Sequence, residues 1–204
     1  MALKTQQEQF WAGEFGDQYV RRNKGQNLVA ANLALFGSIL RHLQEVSSVI
    51  EFGPNIGMNL IALHQLLPEA ELTGVELNEV AARQLATLPY VSVVNESFLN
   101  YSPAKQYDMV LCKGVLIHTN PDFLEQFYNT IYSSARRYIC LVEYYNPTPV
   151  SVSYRGHESV LFKRDFAGEM LDRYTDLCLL DYGFAYHRGK FPQDDLTWFV
   201  LEKR

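Results

Sequence analysis

The sequence predicts a doubly wound α/β sheet of seven strands, mostly parallel and finished by a C-terminal antiparallel hairpin. Three observations carry this. Short apolar runs alternate with helix-like segments from residue 48 to residue 143, the pattern of a parallel sheet covered on both faces. Two glycines stand between the first strand and the next helix, in "VIEFGPNIGMN". The last third holds two strand-like runs, "CLLDYGFAYH" and "DLTWFVLEK", with no helical stretch between them, so a hairpin closes the sheet.

The elements follow in order. Residues 5–23 read as a helix broken at Gly13 and Gly16, with Trp11, Phe15 and Tyr19 on one side and Arg22 three beyond Tyr19. Residues 28–43 have apolar positions at 28, 29, 33, 35, 36, 39, 40 and 43, which is helical spacing, with Asn27 as N-cap. Residues 1–43 are thus a helical region of one domain spanning 1–204, either a lid over a site or a helix packed on the sheet. Strands are expected at 48–52, 71–75, 91–94, 107–112 and 138–143, with helices at 56–67, 78–88 and 121–134. The first of these helices stops before Pro68 and the last starts at Pro121 after Asn120. Residues 144–157 read as a long loop and 163–174 as a helix.

Composition narrows the partners. A net charge of -5 opposes a general nucleic-acid binder. No apolar run is long enough for a membrane span, and the N-terminus lacks the apolar stretch of a signal peptide. Cys112, Cys140 and Cys178 each lie in an apolar run without a C-x-x-C. They are expected to be buried, reduced thiols of a cytoplasmic protein. The oligomeric state is not legible.

The glycine loop carries the chemistry. Gly53 and Gly57 form G-x-x-x-G, short of the G-x-G-x-x-G of a dinucleotide site. Glu51 at the strand end would repel a pyrophosphate and attract a cationic ligand. S-adenosylmethionine has an α-ammonium, a sulfonium and no phosphate. Glu76, nineteen residues after Gly57, ends the second strand, where an acid can accept ribose hydroxyls. Glu96 and Ser97, after the third strand, either meet an adenine edge or form a polar turn.

The stretches "VIEFGPNIGMN", "LTGVELN", "VVNESF" and "YDMVLCKGVLIH" resemble the successive motifs of class I S-adenosylmethionine-dependent methyltransferases, whose sheet is Rossmann-like and seven-stranded. A closer resemblance is to the pseudaminic acid biosynthesis-associated methylases. It is carried by "FWAGEFGDQYVRRN", "KGVLIHTNPDFL", "EYYNPTPVSVSYRGH", "LFKRDFAGEMLD" and "FPQDDLTWFVLEK". The resemblance implies that Glu51, Gly53, Asn55 and Gly57 frame the methionine part, that Glu76 holds the ribose, and that Glu96 with Ser97 meets the adenine. Lys113 then reaches either the methionine carboxylate or the acceptor, and Tyr19 or Arg22 meets that carboxylate from a closed lid.

The acceptor is expected at the carboxyl ends of the strands. Tyr144, Tyr145, Asn146, Tyr154, Arg155 and His157 stand in the long loop, where aromatic faces suit a sugar ring and arginine suits a carboxylate. Lys163, Arg164, His187 and Arg188 either extend a cationic pocket or pair with interspersed acids. His118 and His157 are candidate general bases, with Glu143 and His187 as further options, and no metal motif is present. The resulting reading is methyl transfer from S-adenosylmethionine to a small molecule, a nonulosonic sugar or its precursor. The alternatives are an NAD-dependent oxidoreductase and a cofactor-binding scaffold without turnover.

Overall fold

The computed structural model describes residues 3–22 and 25–204. Three of the expected strands keep their bounds: β1 (Ser48–Phe52), β2 (Glu71–Val75) and β3 (Val91–Val94). β4 (Tyr107–Lys113) gains one residue and β5 (Ala135–Glu143) starts three residues early. With β8 (Leu177–Ala185) and β9 (Leu196–Lys203) they form a seven-stranded sheet in the order β3-β2-β1-β4-β5-β9-β8. β9 lies between β5 and β8 and runs against both. This is the doubly wound, mostly parallel sheet with a terminal antiparallel hairpin that the sequence predicts.

One face is covered by α3 (Gln26–Leu40), α4 (Met58–Leu66) and α5 (Glu79–Leu85). There Phe36, Ile39, Leu60, Leu63 and Leu85 pack on Val49, Met109 and Leu111. The other face is covered by α6 (Leu124–Ser134) and α7 (Phe166–Arg173). Phe127, Ile131, Phe166 and Met170 meet Ile50, Phe52 and Val110 there. Strand order reverses between β1 and β4, and that switch opens a crevice at their carboxyl ends.

Several boundaries differ for local reasons. α3 starts at Gln26, with Gly25 at φ 135 as its cap and no side-chain cap bond, so Asn27 lies inside the helix. α4 starts only at Met58 because Gly57 is left-handed, with φ 88. The first helical stretch is two helices, α1 (Gln6–Ala12) and α2 (Glu14–Arg22), parted at Gly13 with Gly16 inside the second. Residue 23, expected in that stretch, lies outside the described residues.

The largest correction concerns residues 144–157. They are not a plain loop, because β6 (Val150–Tyr154) pairs with β7 (His157–Lys163) in an antiparallel hairpin. Its two-residue tip, Arg155 at φ 51 and Gly156 at φ 83, has the paired positive φ values that suit a tight hairpin. α7 therefore begins at Phe166 instead of residue 163, and Asp165 caps it by accepting from the Gly168 amide at 2.8 Å. Cys112 and Cys140 are buried free thiols, while Cys178 is half-buried. No helix among the described residues is long and apolar enough to cross a membrane.

Candidate active site

A cavity of about 500 Å³ opens at the carboxyl ends of β1, β2 and β4. Its floor is the turn after β1. Gly53 (φ 70) and Asn55 (φ 53) are both left-handed. A Cβ on Gly53 would stand 2.5 Å from Val115 Cγ2, so glycine lets this turn close against the loop after β4. Gly57 does a different job. It is not on the cavity wall, and its Cβ would strike Leu85 and Leu88. Its expected place beside the methionine part is therefore replaced by close packing of α4 against α5.

Glu76 braces this floor. It is 6 % exposed, and its two oxygens accept from the Asn55 and Asn78 amides, each at 2.7 Å. Asn78 in turn caps α5 by accepting from the Ala81 amide, and donates to the Trp11 carbonyl and to Asp17. One carboxylate thus ties the end of β2 to the glycine turn and to a residue that holds α1 and α2. Burial raises its pKa despite the opposing backbone hydrogen bonds.

Glu51 is fully buried and off the cavity wall. Its Oε1 accepts from Asn59 Nδ2 at 2.6 Å, and Oε2 has no partner. Burial pushes the carboxyl up to about 7, opposed by Asn59 and by the Lys113 charge. Lys113 itself is half-buried and lines the cavity. Burial lowers its pKa, while Glu51, Glu143 and Asp194 act in the other direction.

The third-strand turn is divided. Glu96 lines the cavity, but Ser97 does not. Ser97 is wholly buried, donates to the Glu8 carboxylate and accepts from the Leu99 amide. It fastens α1 to the sheet and has no exposed edge for an adenine. Phe98 and Leu99 stand on the wall instead.

Glu143 is also placed away from the wall. Its oxygens accept from the amides of Val115 and Leu116 at 3.0 Å each and of Ile117 at 3.4 Å. A buried carboxylate spent on three backbone donors shapes the loop after β4 and cannot reach an acceptor. That loop carries His118 onto the wall. His118 Nδ1 lies 2.6 Å from the Val160 carbonyl oxygen. A carbonyl only accepts, so Nδ1 carries the hydrogen and Nε2 keeps its lone pair. Burial lowers the imidazole to about 4, which keeps it neutral at pH 7.

Two separate pieces roof the cavity. α1 and α2 bring Trp11, Gly16, Tyr19 and Arg22, and the hairpin tip brings Tyr154 and Arg155. The Trp11 ring meets Phe15, Tyr19 and His118 at 5.4, 5.3 and 4.7 Å. Burial, with nearby Tyr154 and Asp194, raises the Tyr19 phenol to about 12. Of the expected acceptor residues, Tyr144, Tyr154 and Arg155 line the cavity.

The rest lie elsewhere. His157 is exposed and packs on the Phe10 and Phe15 rings. Tyr145 is exposed against Phe199, and Asn146 donates to the Thr148 carbonyl. Lys163 sits over the Tyr144 ring, and Arg164 pairs with Glu169 at 2.6 Å. His187 pairs with Asp195 at 2.7 Å, and Arg188 is off the wall. The cationic extension therefore dissolves into solvated pairs and ring contacts.

The cavity also has a wall that the sequence did not reveal. Asn32 of α3 and Gln193, Asp194 and Leu196 around the end of the β8–β9 connection line it. Gln193 Nε2 donates to Asn32 Oδ1 at 3.1 Å, and the Tyr144 hydroxyl donates to Asp194.

No family model and no curated protein matches the sequence. Solved structures match it in shape. The plantazolicin methyltransferase BpumL in complex with SAH aligns with a TM-score of 0.68 at 15 % identity, over 97 % of this chain and 94 % of that one. The magnesium protoporphyrin IX methyltransferase ChlM from Synechocystis PCC 6803 with bound SAM aligns with a TM-score of 0.67 at 13 % identity, over 100 % of both chains. The Burkholderia thailandensis 1,6-didemethyltoxoflavin-N1-methyltransferase, with bound 1,6-didemethyltoxoflavin and S-adenosylhomocysteine, gives 0.69 at 14 % identity, over 100 % of this chain and 92 % of that one. The chain thus has the Rossmann-like fold of these methyltransferases. The closer resemblance to the pseudaminic acid-associated methylases gains no support from them.

Proposed function

We propose that this chain transfers a methyl group from S-adenosylmethionine to a small polar acceptor. The observation that carries the reading is the cavity at the ends of β1 and β2, floored by the Gly53–Asn55 turn and braced by Glu76. The donor set fits the cofactor. Each Glu76 oxygen holds one backbone amide and keeps a lone pair for a ribose hydroxyl. The glycine at 53 leaves room for close backbone approach. Structurally similar proteins with bound SAM or SAH support the same choice. NAD fits less well, because Gly57 is committed to packing and a single glycine of the loop faces the cavity.

When bound, the cofactor supplies a methyl group activated on a sulfonium. Trp11, Tyr19 and Tyr154 exclude water from the reacting atoms. His118 offers Nε2 to the hydroxyl or amine of the acceptor and takes the proton that it loses. Arg155 and the rings of Tyr144 and Tyr154 favour a ring-shaped acceptor bearing an acid. A nonulosonic sugar or its precursor has that chemistry and is the acceptor we propose. α1 and α2 act as its lid.

Calorimetry with S-adenosylhomocysteine and with NAD tests the cofactor. Binding of the first alone is expected, and binding of NAD alone overturns the reading. Mass spectrometry of sugar-acid acceptors incubated with protein and S-adenosylmethionine tests the acceptor, through a gain of one methyl group.

A further inference from the structure

Glu51 and Lys113 stand on neighbouring strands, on the face covered by α3 and α4. Glu51 pairs in register with Leu111, two residues before Lys113. Phe52 pairs with Cys112, so Lys113 leaves β4 beside the point where Gly53 leaves β1. The carboxylate is sealed below the cavity with Oε2 unpartnered. The ammonium lines the cavity and has no hydrogen bond or ion pair among the described residues.

Other charged groups nearby are less well placed for the floor. Arg22 is exposed and lies over the Phe15 ring at 5.7 Å. Arg155 is exposed at the hairpin tip over the Tyr154 ring. Asp194 already accepts from the Tyr144 hydroxyl. Lys113 is therefore the cation at the floor, next to the glycine turn. A cation there repels a sulfonium and an ammonium, and a carboxylate is the one charged group of the cofactor that it attracts.

We propose that Lys113 anchors the carboxylate of the cofactor's methionine part, and that Glu51 is its buried counter-charge and makes no contact with the cofactor. This rests on the methyltransferase reading and reassigns the acid that the motif resemblance puts against the methionine part. It also explains how a lysine is tolerated near a sulfonium. The carboxylate holds the ammonium, and the charge below it offsets the remainder.

The test is calorimetric titration of wild type, Lys113→Met and Lys113→Arg with two probes. S-adenosylhomocysteine carries the carboxylate. 5′-Methylthioadenosine keeps the adenosine and thioether but has no amino-acid part. Lys113→Met should weaken S-adenosylhomocysteine by about 10- to 100-fold, the loss expected for a charged hydrogen bond. It should leave methylthioadenosine within about twofold, and Lys113→Arg should recover part of the lost affinity. Unchanged S-adenosylhomocysteine binding in Lys113→Met would mean that the ammonium serves the acceptor. An equal loss for both probes would mean that it acts through the fold. Either result overturns the proposal. Wild-type protein that binds neither probe would instead sink the cofactor reading on which it rests.

Discussion

Replacing Glu51 by Gln removes one ionisation and keeps the shape of the side chain. Burial raises the folded carboxyl from 4.5 to about 7. Such an acid holds its proton more tightly in the folded state. Its favourable contribution is complete below pH 4.5 and is lost as pH rises through 7. The gap between 4.5 and about 7 corresponds to about 3 kcal/mol. Glutamine escapes that loss. Its carbonyl oxygen can keep the 2.6 Å bond from Asn59, and its amide nitrogen occupies the place of Oε2, which has no partner in the wild type either. The variant should match the wild type at pH 4.5 and be more stable by about 3 kcal/mol at pH 8. Urea unfolding at pH 4.5, 6, 7 and 8 reads the difference directly. A gap that stays constant across this range would refute the burial argument, because the gap grows only if the carboxyl loses its proton at a higher pH in the folded protein than in the unfolded chain.

Three further outcomes are expected. Glu76→Gln turns one acceptor into a donor facing a backbone amide, so it should cost about 1–3 kcal/mol of stability and weaken S-adenosylhomocysteine, as read by urea unfolding and calorimetry. Gly53→Ala sets a side chain at φ 70, 2.5 Å from Val115 Cγ2. It should lower stability by about 1–3 kcal/mol and cut cofactor affinity more than Gly57→Ala does, since Gly57 is off the wall. His118, lowered from 6.5 to about 4, contributes stability that is present above pH 6.5 and lost as pH falls through 4. His118→Gln should therefore flatten the acid limb of the stability curve by about 3 kcal/mol, and unfolding at pH 4 and 7 checks it.

The strands were legible because their signal is local. β1, β2 and β3 are short apolar runs between turn residues, and nothing distant alters where they stop. β6 and β7 leave no such signal, because hairpin β6–β7 lies outside the main sheet. "VSVSY" keeps no deeply buried side chain, and Pro147 and Pro149 just before it read as loop. The same physics explains Glu143. Its position at the end of β5 was visible, but three backbone amides from the β4 loop claim its oxygens, and a sequence does not announce which carboxylate is already occupied.

The two halves of the site differ in the same way. In a parallel sheet the residue after each strand lies on the crevice by construction, so Gly53, Asn55, Glu76, Glu96 and Lys113 follow from strand ends alone. The rest of the cavity wall has no such rule. It depends on the hairpin tip, on helices that begin at Gln6, and on Gln193 finding Asn32 across 161 residues of chain. Each of these is a packing outcome, decided by the whole core. By sequence Lys163, Arg164 and His187 either extend a cationic pocket or pair with interspersed acids, and the fold decides between the two by giving them to Tyr144, Glu169 and Asp195. What lines the cavity is Arg155 and Asp194, with the His118 ring against Trp11 and Tyr154. A specificity change should therefore come from the hairpin tip and the Gln193–Asp194 segment, and substitutions at Lys163 or Arg164 should leave it unmoved.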